Sequence, residues 1–149
     1  MSEFKLFDDK LAGLIGALSP AGRRKLAAEI AKEVRRSQQQ RIKQQKAPDG
    51  TPYQTRKRQP LRAKSGRIKR AMFQKLRTSR YMKASGRDDA AVVEFTGKVQ
   101  RIAKIHQLGL KDGPTPHGQD IQYPQRQLLG FSSNDKQLII ELTIQHLSR

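Results

Sequence analysis

The chain contains no cysteine, which excludes a disulfide framework, a thiolate metal site and a cysteine nucleophile together. Long apolar runs are missing as well. No stretch approaches the roughly 20 residues that a membrane helix requires, so no membrane partner is expected. The opening Met1-Ser2-Glu3-Phe4-Lys5-Leu6 mixes charges and lacks a basic region followed by an apolar one and a small-residue cleavage site, so it reads as mature protein. Aromatic residues make up 5% of the sequence and apolar residues 35%. A chain of 149 residues with so little to bury supports one domain with one modest core, and leaves segments that order only against a partner.

Acidic residues are scarce too: 13 against 31 Lys and Arg, a formal net charge of +18. The imbalance is local. Between Arg23 and Arg87 there are 22 basic residues and three acids, Glu29, Glu33 and Asp49, whereas the remainder of the chain carries 9 basic and 10 acidic residues. A field of that density repels itself unless an anion lies close, and DNA is the usual anion of matching charge density. The competing reading is a solvated basic arm.

What is present in quantity is helical patterning. Phe4, Phe7, Leu11, Leu14, Ile15 and Leu18 recur at spacings of three and four, the stripe of an amphipathic helix over residues 2–18. Ser19-Pro20 supplies an N-cap and a first-turn proline for a second helix. Its seam of Leu26, Ile30 and Val34, flanked by Ala27 and Ala31, suits packing on the first helix as an antiparallel hairpin. Past Val34 the seam fades into Arg35-Arg36-Ser37-Gln38-Gln39-Gln40-Arg41, so the helix is expected to project from the core and to run to Ala47, about 40 Å in all. Pro48-Asp49-Gly50 forms the stop.

Residues 51–66 read as a poorly packed basic loop anchored only by Pro52, Tyr53, Pro60 and Leu61, ordering in an assembly. Ile68, Met72, Phe73 and Leu76 predict a short basic amphipathic helix from Ser65 to Thr78. Tyr81–Ala84 and Ala91–Phe95 have strand composition and are joined by Ser85-Gly86-Arg87-Asp88-Asp89 as a hairpin loop. A helix through Val99, Ile102, Ala103 and His106 stops at Gly109. Ile121-Gln122-Tyr123-Pro124 is a short edge strand. A last helix begins at Ser132, with Asp135 in its first turn, and buries Leu138, Ile139, Leu142 and Leu147. The expected fold class is α+β: an N-terminal helical hairpin with a long basic helix (1–47), a basic loop (48–66), and an α+β core (67–149) in which a small antiparallel sheet packs with two further helices.

Catalytic chemistry is not indicated. His106 sits on a helix face beside Ile102 and Ala103 and reads as a partly buried structural histidine, His117 lies in a Pro/Gly loop, and His146 is in a last turn where a cation suits the helix dipole. None has metal-ligand spacing. Asp88-Asp89 with Glu94 is the one acidic group near the basic stretch, but adjacent aspartates in a turn point apart, which argues against a metal-dependent nuclease. No phosphate-cradling glycine loop, nucleophile elbow or helix–turn–helix pattern appears. No catalytic residue, metal or cofactor is therefore expected, and any DNA contact should be with phosphates.

A more specific signal lies in Ile102-Ala103-Lys104-Ile105-His106-Gln107-Leu108-Gly109, a variable loop to Asp120, then Ile121-Gln122-Tyr123-Pro124-Gln125-Arg126-Gln127-Leu128-Leu129-Gly130-Phe131-Ser132. This order resembles the phage virion-morphogenesis (tail-completion) family of contractile-tailed bacteriophages. Upstream, Pro48-Asp49-Gly50-Thr51-Pro52-Tyr53, the Lys/Arg-rich stretch, Met72-Phe73 and Val92-Val93-Glu94-Phe95-Thr96-Gly97 are similar to it too. The resemblance implies a structural protein of the virion that completes the tail in the host cytoplasm and helps join it to the head, at the neck. It also implies a ring of copies, expected to be hexameric, around the DNA passage. The implied partners are the chain itself, neighbouring tail and head-connector proteins, and double-stranded DNA bound without sequence specificity. Arg56, Lys57, Arg58, Arg62, Lys64, Arg67, Lys69 and Arg70 are the candidates to face DNA or another anionic wall. His106, Gly109, Tyr123, Pro124, Arg126 and Gly130 are the candidates for a fold and interface motif. The rival expectation is a small basic nucleic-acid-binding protein that contacts phosphates.

Overall fold

The computed structural model describes residues 2–56, 71–113, 118 and 120–148, with the side chains of the first helix described from Asp9 onward. Helix α1 spans Ser2–Gly16 and α2 spans Pro20–Lys43. The Ser19 hydroxyl accepts from the Gly22 amide at 3.0 Å, so the expected N-cap forms with Pro20 at the helix start. The Arg23 guanidinium closes the corner by donating to the Leu18 carbonyl at 2.9 Å and the Gly16 carbonyl at 3.4 Å. Leu14 on α1 is 56% exposed and Leu11 and Ile15 are half-buried. Among the described residues, the main packing partners of α2 are not α1 but a β-hairpin and the last helix.

That hairpin joins β1 (Met82–Gly86) and β2 (Ala91–Phe95), antiparallel, with Met82 opposite Phe95 and Gly86 opposite Ala91. Small residues let it lie close on α2: Ala27 and Ala31 are buried beneath it, and a Cβ at Gly86 would stand 2.2 Å from the Ala28 amide nitrogen. Backbone contact of this kind is open only to glycine.

Contrary to expectation, the second half of α2 does not project. Gln38 is 2% exposed and Ile42 fully buried, so the seam continues as Val34, Gln38 and Ile42 with a glutamine in the middle place. The polarity of Gln38 hid the continuation; its amide is satisfied inside the protein by partners far along the chain. Nor does α2 reach Ala47. It ends at Lys43, and Gln45 takes a left-handed φ of 60°. Its amide caps the Ile42 carbonyl at 2.8 Å. The chain then turns through Pro48-Asp49-Gly50, with the Ala47 amide on the Thr51 carbonyl at 2.8 Å and Gly50 at φ 89°. The Asp49 carboxylate accepts from the Thr51 amide at 2.9 Å, which lowers its pKa.

The basic helix expected over Ser65–Thr78 is also corrected where it can be seen. Residues 72–80 form turns broken by a bend at 78, and Phe73 has a φ of 65°, a conformation that no right-handed helix passes through. The apolar spacing was real, since Met72 is buried and Phe73 and Leu76 pack on the same core. Burial alone, without helical backbone, produced it. Ser65–Arg70 lie outside the described residues.

Helix α3 (Gly97–Leu108) follows β2 and ends where expected, with Gly109 at φ 66°. A two-pair hairpin not foreseen in full comes next: β3 (Lys111–Asp112) pairs antiparallel with β4 (Ile121–Gln122). Helix α4 (Ser133–Leu147) closes the chain behind a capping box of Ser132 and Asp135. It lies along α2, with Asp135 near Ser37 and Gln38 and with the His146 Nδ1 3.6 Å from Glu29. The expectation that Leu138, Ile139, Leu142 and Leu147 fill its buried face is revised: these four are half-buried, and the fully buried positions are Asp135 and Thr143. The main core gathers Ile42, Tyr53, Met72, Met82, Phe95, Ala103 and Leu128, so the protein is an α+β fold built on α2.

Candidate functional site

Four rings run in a row through the lower part of the core. Tyr53 meets Phe73 edge-on at 5.7 Å between centroids, Phe73 meets His106 at 4.9 Å, and His106 meets Tyr123 at 5.2 Å. Edge-to-face pairs at these separations are each worth about 0.5–1.5 kcal/mol beyond the area they bury. Burial among them, reinforced by the nearby Arg126 cation, lowers the pKa of His106. Its imidazole therefore serves as a neutral aromatic.

Arg126 is 5% exposed. Its Nε donates to the Gln54 carbonyl at 2.8 Å and its Nη2 to the Thr55 carbonyl at 3.3 Å, while its own amide donates to the His106 carbonyl at 2.8 Å. Burial first, then the neighbouring Arg56 cation, lowers the guanidinium pKa. The buried cation is thus spent on the two backbone positions immediately before exposed Arg56, where the basic segment begins. The far side of that segment is held just as firmly. Gln45 donates from Nε2 to the Met72 carbonyl at 2.9 Å and accepts from the Met72 amide at 2.9 Å, imitating a peptide group. Since the Tyr53 and Phe73 rings touch, the described residues on either side of positions 57–70 meet at one place.

A second cluster fastens α2 to the Leu128–Ser132 stretch and to α4. Asp135, 1% exposed, accepts from the Ser37 hydroxyl, from Gln38 Nε2 at 3.1 Å and from the Ser132 amide at 3.0 Å. Gln38 Oε1 accepts from the Gly130 amide at 3.1 Å and from Arg41. Arg41 also donates to the carbonyls of Leu128 at 2.6 Å and Lys46 at 3.0 Å. Gln107 accepts from the Leu128 and Leu129 amides at 2.8 and 2.9 Å. Gly130 is required here because a Cβ would stand 2.7 Å from Pro48 Cγ.

The six expected motif residues therefore fall into one region, where the last turn of α3 meets the stretch from Tyr123 to Gly130. Gly109 provides the left-handed exit, where a Cβ would also press on the Gln125 amide at 2.9 Å, and Pro124 follows Tyr123 half-buried. Of the expected anion-facing set, Arg56 is exposed; Lys57, Arg58, Arg62, Lys64, Arg67, Lys69 and Arg70 lie outside the described residues. Of the 51–66 loop, residues 51–56 are described, and within them Tyr53 is buried with its hydroxyl donating to the Gln127 carbonyl at 2.7 Å. Burial raises the pKa of this phenol. Sequence reasoning missed Gln38, Arg41, Gln45 and Gln107 because polar residues that satisfy backbone groups carry no periodic signal. Among the described residues there is no group of three or more metal-ligating side chains, and no helix long and apolar enough to cross a membrane.

Residues 3–148 match the model of the phage virion morphogenesis family, and the chain belongs to that family. It is 51% identical, over 150 aligned positions and the full length of both chains, to a protein of Escherichia phage P2 described as tail completion protein S. No solved structure matches it. The family is described by virion morphogenesis and the relative by tail completion.

Proposed function

We propose that the chain completes the tail at the neck of the virion and takes part in joining it to the head, as a ring of copies around the DNA passage. The observation that carries this reading is the paired clamp at the root of the basic segment. Arg126 fixes Gln54 and Thr55, Gln45 fixes Met72, and the stretch between them contains Arg56, Lys57, Arg58, Arg62, Lys64, Arg67, Lys69 and Arg70. A concentrated positive charge mounted on a rigid root suits an anionic wall at a fixed place, and phosphates of passing DNA supply one without sequence recognition.

Assembly in the host cytoplasm, contacts with tail and head-connector proteins, and a hexameric ring belong to the same reading. A phage deleted for this chain and grown with and without a complementing copy provides the test. Electron microscopy should show filled heads and separate, unfinished tails in its absence, and joined particles on complementation. Joined, infectious particles without the chain would remove head–tail joining from its functions.

A further inference from the structure

The outer face of α2 carries positive charge in an ordered pattern of its own. The helix holds eight basic and two acidic residues. Its inner seam of Leu26, Ala27, Ala31, Val34, Gln38 and Ile42 is buried, whereas Lys25, Lys32, Arg36 and Lys43 are exposed. Their successive spacings of seven, four and seven residues bring these four cations within an arc of about 40° opposite the seam, in a row about 27 Å long. The two acids lie off this row. Glu29, Glu33 and Ser37 recur every four residues in a row whose ends meet α4, where the His146 Nδ1 stands 3.6 Å from Glu29 and Asp135 accepts from the Ser37 hydroxyl. Glu33 reaches across to Arg36 at 3.5 Å.

A row of one sign is not what a solvated helix face needs. Opposite charges three or four residues apart stabilise an exposed helix, and like charges at that spacing, such as Lys32 and Arg36, destabilise it. An anion lying along the row removes that cost. A protein surface fits poorly, because the centre of a protein interface is built on apolar and aromatic anchors and is depleted in lysine, and the residues beside this row are Ala28, Gln39 and Gln40. Three of the four cations are lysine, a hydrated point charge suited to phosphates in no fixed register, unlike the forked arginine that reads a planar partner. Duplex DNA presents about one negative charge per 1.7 Å of its axis, so a straight row of this length lies against several phosphates at once. Just past the helix, exposed Lys46 pairs with Pro52 in a β-bridge, so the row ends at the root of the segment that begins with Arg56.

We infer that the outer face of α2 is a track for the phosphates of duplex DNA, contacted by Lys25, Lys32, Arg36 and Lys43 without reading a base, and that this is the face each copy turns to the DNA passage. The assignment rests on the DNA-passage reading and adds the surface that touches the duplex.

The test is fluorescence anisotropy of a short duplex of arbitrary sequence titrated with the purified full-length chain over a series of salt concentrations. One variant combines Lys25→Gln, Lys32→Gln and Lys43→Gln, leaving the Arg36–Glu33 pair intact. A control of equal net charge combines Lys98→Gln, Lys104→Gln and Lys111→Gln, three exposed lysines elsewhere. The row variant should bind roughly tenfold or more weakly and lose roughly 2–3 from the slope of log K against log salt, at about 0.9 for each phosphate contact removed. The control should keep most of both, with circular dichroism unchanged in each. Lys32→Gln alone should lower the slope by about 1, which keeps the test open should the triple variant fail to fold. Equal losses in row variant and control, or no binding of the wild-type chain at the lowest salt, would overturn the inference. So would poly-glutamate bound as tightly as the duplex with the same dependence on the row, which would assign the face to an acidic protein. These measurements use purified chain and DNA, so they separate failure of this track from failure of the proposed head–tail joining, which only complementation reads.

Discussion

Arg126 is placed where a charge is expensive, and its two carbonyl partners explain why it is there. Hydrogen bonds from a charged donor contribute about 1.5–3 kcal/mol, so Arg126→Ala should lower stability by about that much in denaturant or thermal melts. Arg126→Lys should recover little, because an ammonium cannot reproduce the fork that reaches Gln54 and Thr55 together. A melt indistinguishable from wild type for Arg126→Ala would mean that the root of the basic segment is held by something else. His106 gives a second test at this scale. Its folded pKa lies below the ordinary 6.5, so above that pH both states are neutral and the histidine has no effect. As the pH falls through 6.5 the unfolded chain takes up the proton first, and stability falls until the lower folded pKa is reached. Melting temperature should therefore drop between pH 7 and pH 5 more steeply in wild type than in His106→Gln. Equal slopes would show that the imidazole is not desolvated in the ring row. Much of this motif was readable beforehand because glycine, tyrosine-proline and arginine in fixed order carry a signal. Their glutamine partners were not readable, since Gln38, Gln45 and Gln107 act through peptide-like hydrogen bonds that only the folded chain brings together.

Among the elements, α2 sets the geometry of everything else, and its length and seam decide how far the sequence could be trusted. The helix starts, the β1–β2 hairpin and the exit at Gly109 follow from local chemistry, namely a serine cap, strand composition and a glycine in the left-handed region. The path after Val34 does not, because continuing the seam through Gln38 depends on Asp135 and Gly130, far away in the chain. Leu26→Ala should cost about 2–5 kcal/mol, as for a buried leucine, and Gln38→Ala about 1–3 kcal/mol by removing one donor to buried Asp135 and leaving the Gly130 amide without its acceptor. Leu11→Ala should cost less than Leu26→Ala, since Leu11 is only half-buried. Denaturant melts of the three variants check the order. Gly86→Ala should be worse than its size suggests, at about 1–3 kcal/mol or more, because the added carbon meets the α2 backbone rather than a movable side chain. A tolerated Gly86→Ala would show that the hairpin does not rest on α2 as described.

At the scale of the whole molecule the division is electrostatic. The surplus charge lies before Asp88, the neutral part after it, and Arg126 and Gln45 from the two sides of the core hold the basic segment at its root. The sequence disclosed the charge and its limits, and the family order of residues pointed to a tail. What it could not disclose was that the clamp is made by residues distant in the chain. The central claim is that this charge faces an anionic wall in the finished particle. The most direct measurement is complementation of a phage lacking the chain by a variant with Arg56, Arg58, Arg62 and Arg67 changed to glutamine, with particles counted by electron microscopy and the purified variant melted in parallel. Arg56 is exposed and solvated charges contribute about 1 kcal/mol or less each, so the account predicts a folded protein with a near-normal melt, tails that assemble, and few that join heads. Normal yields of joined, infectious particles from the fourfold variant would contradict it.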